Sequence, residues 1–548
     1  MRRQRKHIDY ARLIYSILLL NKQQFPVVFL PVAAQPIRQI NADMNSHPSS
    51  ARRRLPKLGP QRLVISAAVL LLAACANFSG IHSTASTNNP DDYASSASLP
   101  GQGGLWPASS WVNTIGGSQL QQLVDEALAG NPNLQAAAAR IGAARAMVEA
   151  AGATSKPQIG ASLSATRERF SENSIYPPPF GGMYVTDYET ALNFTYDLDF
   201  WGKHSAQLRS AISQSKAAEA EHYAARLALT AAISKAWLQL GRQYAQLDLT
   251  NQQLVLRDKL DKLTQQRFAA GLDTQSDNQQ SRQQVAGLRA EQAQWQEAIA
   301  LTRNQIAALM GQGPDRGLKI APPALPADAA IALPDQLPLG LLGRRPDVVA
   351  ARWQVEAAQS DIKVAKTEFY PDINLSAMAG FSSLSFSQFL NHGSKVVGIG
   401  PAIHLPIFEG GALRAQLKGR VAAYDGAVAT YNQALNDAFH EVADSVQSLQ
   451  AAETQGKNQQ AAVDAAERGM KLAEQRQQVG TANMLQVVST QISWLAQRKL
   501  ELDTRARRAD LRVNLIKSLG GGFDAAAEGL NPAEASTGTA SPQANAAN

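Results

Sequence analysis

The chain repeats itself. "GNPNLQAAAARIGAARAMVEAAGATSKPQI", from Gly130, aligns with "RRPDVVAARWQVEAAQSDIKVAKTEFYPDI", from Arg344. Pro132 falls on Pro346, Pro157 on Pro371 and Ile159 on Ile373, each pair 214 residues apart. Further on, "RFAAG" ending at Gly271 matches "RQQVG" ending at Gly480 at an offset of 209. The chain after the leader therefore reads as a tandem duplication, each half about 200 residues long. The offsets differ by five residues, so the halves differ in length between those two matches. A Pro-rich joiner, "APPALPADAAIALPDQLP", separates them.

Each half contains a long stretch without proline, Phe180 to Gly313 and Ile407 to Leu530. In the second, Val421, Val428, Leu435, Val442 and Leu449 recur every seven residues, with Tyr424 and Tyr431 three residues after a valine of the series. That is coiled-coil spacing. In the first, Leu240, Leu247 and Leu254 form one ladder and Leu249, Leu256 and Leu263 another, offset by two residues or about 200° around a helix. A helix with apolar stripes on opposite sides needs a neighbour on each side. A continuous helix over 204–270 would be about 100 Å long.

Each half also carries two alternating segments. Ile159, Ala161, Leu163 and Ala165 alternate with Gly160, Ser162, Ser164 and Thr166; Leu192 and Phe194 alternate with Asn193 and Thr195. The second half repeats the pattern from Ile373 to Ser382 and from Val397 to Ile407. Strands of about ten residues with one apolar and one polar face fit a membrane barrel; the same periodicity also fits two soluble hairpins. Four strands cannot close a barrel, since the smallest have about eight. Open edges in lipid are not tolerated, so a membrane location requires several chains to share one barrel.

The only cysteine of the 548 residues, Cys75, ends the stretch "LVISAAVLLLAAC". With no partner it forms no internal disulfide and no Cys-x-x-Cys site, which leaves a buried inert thiol, a catalytic thiolate or a modified residue. The preceding "ARRRLPKLGPQR" is basic and acid-free, and the apolar run Leu63–Ala74 is only 12 residues long. A basic flank and a short apolar core read as a signal peptide. Residues 1–43 read as an upstream extension, with the leader proper at 44–74. Residues 1–74 hold 12 basic and 2 acidic side chains of the whole chain's 52 and 45. The remainder carries 40 and 43, a net charge of −3. The basicity belongs to the leader and gives no argument for nucleic-acid binding. The eight histidines are scattered, "HEVAD" at His440 misses the zinc-protease pattern by one residue, and no P-loop or Rossmann glycine fingerprint occurs. No enzyme, metal site or cofactor is expected.

Leu72-Ala73-Ala74-Cys75 resembles the bacterial lipobox. "LLGRRPDVVAAR" (Leu341 to Arg352), "EFYPDINL" (Glu368 to Leu375), "LPIFEGGALRAQL" (Leu405 to Leu417), "YDLDFWGK" (Tyr196 to Lys203) and "VNLIKSLGGGF" (Val513 to Phe523) resemble the outer-membrane factor family, the exit ducts of tripartite efflux pumps, in its lipoprotein (NodT-type) branch. The resemblance implies a mixed α and β membrane protein. Long coiled-coil-like helices would form a periplasmic tunnel, and four strands per chain would contribute to a 12-stranded barrel shared by a homotrimer. It implies acylation of Cys75, and a Gram-negative outer-membrane location with lipid around the barrel. It also implies a periplasmic adaptor and an RND-type inner-membrane transporter as partners, and export of small molecules.

On this reading Pro157 and Pro371 mark helix-to-strand joints, and Gly202, Gly410 and Gly411 mark strand-to-helix joints. Trp201 and Phe408 lie at the level of an interfacial aromatic girdle or pack within the joint. The family's entrance is closed by the tips of the return helices. Asp277, and in the second half Gln486 with Ser489, occupy those positions; Asp277 could equally serve only to complement a helix N-terminus. The expected layout is a tether over 75–110, a first repeat over 111–313 and a joiner over 314–343. A second repeat follows over 344–523, and a disordered tail over 524–548. The hairpins fall at 157–201 and 371–408. The long helices fall at 204–270 and 412–478, and the return helices at 274–310 and 483–519. The rival architecture is a lipid-anchored periplasmic coiled-coil rod or adaptor, and the rival cargo is a polypeptide.

Overall fold

The computed structural model describes residues 78–531, apart from 90–92, 95–97, 100, 102, 174, 176–177, 327–332 and 335–336. Cys75, the leader and most of the C-terminal tail lie outside the described residues.

The elements come in two matched sets. Helix α1 (Trp111–Gly130) precedes the first. The first set is α2 (Pro132–Ala153), β1 (Gln158–Arg169), β2 (Tyr184–Asp197), α3 (Lys203–Ala269) and α4 (Gln275–Leu309). After two short helices, α5 (Pro314–Leu318) and α6 (Leu337–Arg344), the second set follows. It is α7 (Pro346–Thr367), β3 (Asp372–Ser383), β4 (Lys395–His404), α8 (Ala412–Gln478) and α9 (Met484–Ser518). α2 and α7 have 22 residues each, α3 and α8 have 67, and α4 and α9 have 35. The length difference between the halves is confined to the segment from the end of the first strand to the start of the long helix.

Why the long helices begin and end where they do is visible in their glycines. α3 starts at Gly202 (φ 77°) and α8 at Gly411 (φ 90°), next to Gly410 (φ 57°). Only glycine takes these left-handed angles without penalty, so the chain can turn sharply from strand into helix. Both long helices stop at a second left-handed glycine, Gly271 or Gly480, where the next amide bonds back to the carbonyl of Arg267 or Arg476 at 2.8 Å. That is a Schellman-type stop.

The heptad residues Val421, Val428, Leu435, Val442 and Leu449 are all buried along α8. They pack against α6 and α7 and the end of α9 through Leu341, Val348 and Leu515. The matching core of the first half gathers Trp237, Leu240, Ile306 and Met310 around α1. Of the two leucine ladders on α3, only Leu240 is fully buried; Leu247, Leu249, Leu254, Leu256 and Leu263 are half-buried in the single chain.

The expected tether is in fact docked. Residues 78–89 pack on α8 and on the turn after α7: Phe78 meets Phe369 edge-on at 5.7 Å, Ser83 donates to Asp425, and Asn88 and Asn432 bond reciprocally to each other's segment. Tyr93 stacks on Phe439 at 4.9 Å, and Ile81 and Leu99 are buried. A few well-placed aromatic and aliphatic residues in a Ser/Asn-rich stretch suffice to hold it. The segment after Phe523 is likewise packed: Leu530 is buried and its carbonyl accepts from Trp353 Nε1 at 2.8 Å. Residues 524–530, expected to belong to a disordered tail, are therefore packed.

Candidate functional site

The four strands form one antiparallel sheet in the order β1-β2-β3-β4. β2 and β3 join the two halves, with Leu192 opposite Ala379. Paired residues share a face, so the register sorts the side chains. One row reads Ile159, Phe194, Ala377, Ile399, and the next Ala161, Leu192, Ala379, Val397. On the other face, rows read Gln158, Thr195, Ser376, Gly400 and Gly160, Asn193, Met378, Gly398. The apolar face is bare: Ile159, Leu163, Val397 and Ile399 are 75–78% exposed. Among the described residues β1 and β4 each present an unpaired edge. Such a sheet would aggregate in water. Among the described residues no helix is long and apolar enough to cross a membrane, so the sheet is the element suited to lipid.

At its base the sheet is pinned to the helices. Pro157 and Pro371 each stand directly before a strand, where a missing N–H costs no ladder bond. Trp201 stacks on Tyr370 at 4.8 Å and donates from Nε1 to the Pro371 carbonyl at 2.7 Å. Trp201 thus packs within the joint, whereas Phe408 is 88% exposed. Asp199 caps α3, accepting from the amides of His204 and Ser205.

At the far end of the long helices lie the tips. In the first, Arg267 grips Asp273 with two nitrogens at 2.8–3.1 Å. Thr274 and Asp277 form a capping box: the Asp277 amide donates to Thr274 Oγ1, and the Thr274 amide donates to Asp277 Oδ2 at 2.9 Å. The hydroxyl of Thr274 and its amide hold the Asp277 carboxyl below its usual range. The capping function of Asp277 is thus on display, and the side chain is exposed. In the second tip, Ala482 stands where Asp273 would be, and Arg476 has no ion-pair partner among the described residues. Asn483 caps α9 through the Gln486 amide at 2.9 Å, and the side chains of Gln486 and Ser489 are exposed. Asp277 and Gln486 therefore occupy equivalent third positions of two return helices. The Arg267–Asp273 clamp escaped sequence reading; its signal was an arginine and an aspartate six residues apart around a helix-stopping glycine.

A second contact that sequence reading missed explains "GRRPDV". Arg345, only 6% exposed, bonds to Asp347 at 2.5 Å, to Glu441 at 2.7 Å and to the Ser518 carbonyl at 3.3 Å. Burial pushes its guanidinium down, but the two carboxylates prevail and raise it. It locks the head of α7 to α8 and to the end of α9.

The comparisons fit this architecture. A family model described as outer membrane efflux protein matches residues 123–312 and 337–521. The chain belongs to the outer membrane efflux protein family. The fusaric acid resistance protein FusA of Burkholderia cepacia is 36% identical over 365 residues, which cover 66% of this chain and 69% of that one. The multidrug resistance outer membrane protein MdtP of Escherichia coli is 31% identical over 429 residues, 77% of this chain and 88% of the other. The crystal structure of the outer membrane protein VceC of Vibrio cholerae superposes with a TM-score of 0.70 at 38% identity, covering 76% of this chain and all of that one. This efflux protein is an outer-membrane exit duct of a tripartite efflux system, with its helices in the periplasm, and it belongs to a family of channels rather than enzymes.

Proposed function

We propose that three copies close a 12-stranded barrel with the Leu192–Phe194 face in lipid and the Asn193–Thr195 face lining the lumen. The observation that carries this is the sheet itself, with one apolar face exposed and both edges unpaired. Closure removes the edges, and lipid covers the apolar face. A soluble rod or adaptor has no use for either feature. Below the barrel the paired 67-residue helices, each about 100 Å long, continue the conduit. The half-buried leucine ladders of α3 are where a neighbouring copy packs.

The tips of α3/α4 and α8/α9 are the periplasmic entrance, with Asp277 and Gln486 at the mouth. A periplasmic adaptor engages and opens them, and an inner-membrane transporter of the RND type supplies small-molecule cargo. Cys75 is acylated in the mature protein. It lies three residues before Phe78, which packs on Phe369 at the base of the sheet, so the lipid would be delivered at membrane level. One acyl chain gives only marginal binding; the barrel supplies the rest, so Cys75→Ser should abolish acylation and leave the protein in the membrane.

The test is physical. Unboiled protein extracted from outer membranes should migrate as a trimer in mild SDS and, in planar bilayers, give discrete channels of low basal conductance. A detergent-soluble monomer without channel activity would overturn the duct assembly. Mass spectrometry showing an unmodified Cys75 in mature protein would sink the lipid anchor alone.

A further inference from the structure

Where three of the four joints meet, they line a half-open cavity of about 340 Å³. Its lining comes from 198–204 after β2, 367–372 before β3 and 404–416 after β4. Asp372 and His404, which both line it, face each other across the register on the polar side of the sheet. The cavity therefore lies beneath the lumenal face, at the passage between barrel and tunnel.

Its chemistry is one-sided. Four carboxylates line it, those of Asp199, Glu368, Asp372 and Glu409, against one ammonium, Lys203. Asp199 is committed to capping α3, and Asp372 faces Lys203 at 3.8 Å. The carboxylates of Glu368 and Glu409 have no hydrogen-bond or ion-pair partner among the described residues. His204, 9% exposed, lines the same space; its Nε2 sits 3.6 Å from Asp197, and its Nδ1 has no hydrogen-bond partner among the described residues. A buried imidazole nitrogen left alone is rare and calls for an explanation. The Trp201–Tyr370 stack adds an aromatic wall, with Trp201 still 43% exposed. Unpaired carboxylates beside an aromatic surface are what an organic ammonium ion needs, since both the carboxylates and the ring face attract its positive charge. No three His, Asp or Glu side chains among the described residues come close enough to hold a metal ion, and the volume suits a small organic molecule.

We propose that this cavity is a way-station for organic ammonium ions passing from tunnel to barrel, repeated in each copy. The proposal rests on the duct reading for its direction of traffic, but the binding itself does not.

Tetraethylammonium is the probe, with benzenesulfonate as the anionic control. In single channels bathed in KCl, tetraethylammonium should interrupt the current reversibly and benzenesulfonate should not. The Glu368→Gln/Glu409→Gln double variant should raise the half-blocking concentration at least about tenfold, and Glu409→Gln alone about threefold. The Glu409 carboxylate is exposed and unpartnered among the described residues, so the single variant remains informative should the double fail to assemble. Calorimetric titration of the detergent-solubilised protein with tetraethylammonium reads the site without conduction. Binding that the double variant abolishes, in a protein that forms no pore, would overturn the duct reading and keep the site. A conducting protein whose block and binding are the same in wild type and variants, or one blocked equally by benzenesulfonate, would overturn the site and keep the duct.

Discussion

The two halves of the molecule make equivalent contacts with different residues. In the first, Asn131 at the head of α2 caps that helix and donates from Nδ2 to the Leu309 carbonyl at the end of α4, at 2.8 Å. In the second, Arg345 at the head of α7 donates to the Ser518 carbonyl at the end of α9. Asn131 and Arg345 are 214 residues apart, Leu309 and Ser518 209 apart, the same offsets as the repeat. Beside each contact a left-handed glycine presses on a carbonyl. A Cβ on Gly311 would come within 2.3 Å of the Gly130 oxygen, and one on Gly520 within 1.8 Å of the Arg344 oxygen. Backbone geometry is kept where each half closes on itself, while the side chains doing the fitting have diverged. The sheet tells the same story, with apolar rows that run unbroken from one half into the other. The tips break it: one is clamped by Arg267–Asp273 and a capping box, and the other has neither a clamp nor an acid.

The largest test of the shared part lies in the sheet. Leu192→Arg in the first half and Ile399→Arg in the second should each cost about 2–4 kcal/mol if the position is near the bilayer midplane. The readout is loss of the SDS-resistant oligomer at lower temperature. Asn193→Arg should leave the oligomer intact and change only conductance. Damage from one half alone would end the claim that both hairpins share one lipid face.

Next comes the head of the short helices. Arg345→Ala strips two carboxylates and a carbonyl of their donor. Asp347 and Glu441 are about half exposed and regain water, which holds the expected loss to about 2–3 kcal/mol. Asn131→Ala removes a neutral cap and one carbonyl bond, worth about 1 kcal/mol. Thermal melts should rank the two in that order; equal losses would mean the guanidinium adds nothing beyond the amide it corresponds to.

At the tips the expected changes are in gating rather than stability. Asp273→Ala makes the first tip resemble the second and should raise basal conductance in planar bilayers. Ala482→Asp offers Arg476 the partner it lacks and should lower it. If Asp277 and Gln486 close the mouth, changing both to alanine should also raise conductance. Should Asp277 only cap its helix, conductance will stay put. Unchanged conductance in every one of these variants would remove the tips from the gate.

What the sequence made legible follows from what is periodic. Fixed offsets located the helices, heptads marked the buried stripe of α8, and alternation sorted Leu192 from Asn193. Glycines and prolines punctuated the joints because backbone angle is a property of single residues. The docking of residues 78–89 and Tyr93 was hidden, since a Ser/Asn-rich composition says nothing of the few residues, Phe78, Ile81 and Tyr93, that pack on elements distant in sequence. Arg345–Glu441 and the cavity beneath the sheet were hidden for the same reason. Both are assembled from segments distant in sequence, and no local pattern announces which charges will meet.

The smallest expected difference between the tips is their response to acid. Asp277 is held below the ordinary value of 3.8 by the Thr274 hydroxyl and amide. A carboxyl whose folded pKa is depressed contributes stability that is fully present above the unfolded value and is lost as pH falls through the folded one. The first turn of α4 should therefore stay protected at neutral pH and open only below pH 3.8, as Asp277 takes up its proton and the capping box fails. The first turn of α9 is capped by Asn483, which does not titrate, so its protection should not follow that step. Hydrogen exchange of the Gln275–Asn278 and Met484–Val487 amides across the acid range, corrected for intrinsic exchange, separates the two. Parallel loss at both tips would mean that acid opens the bundle as a whole and that the Thr274–Asp277 bond is not what distinguishes them. Loss at α4 alone, abolished by Asp277→Asn, would establish that the asymmetry between the halves reaches the mouth of the duct through one carboxylate.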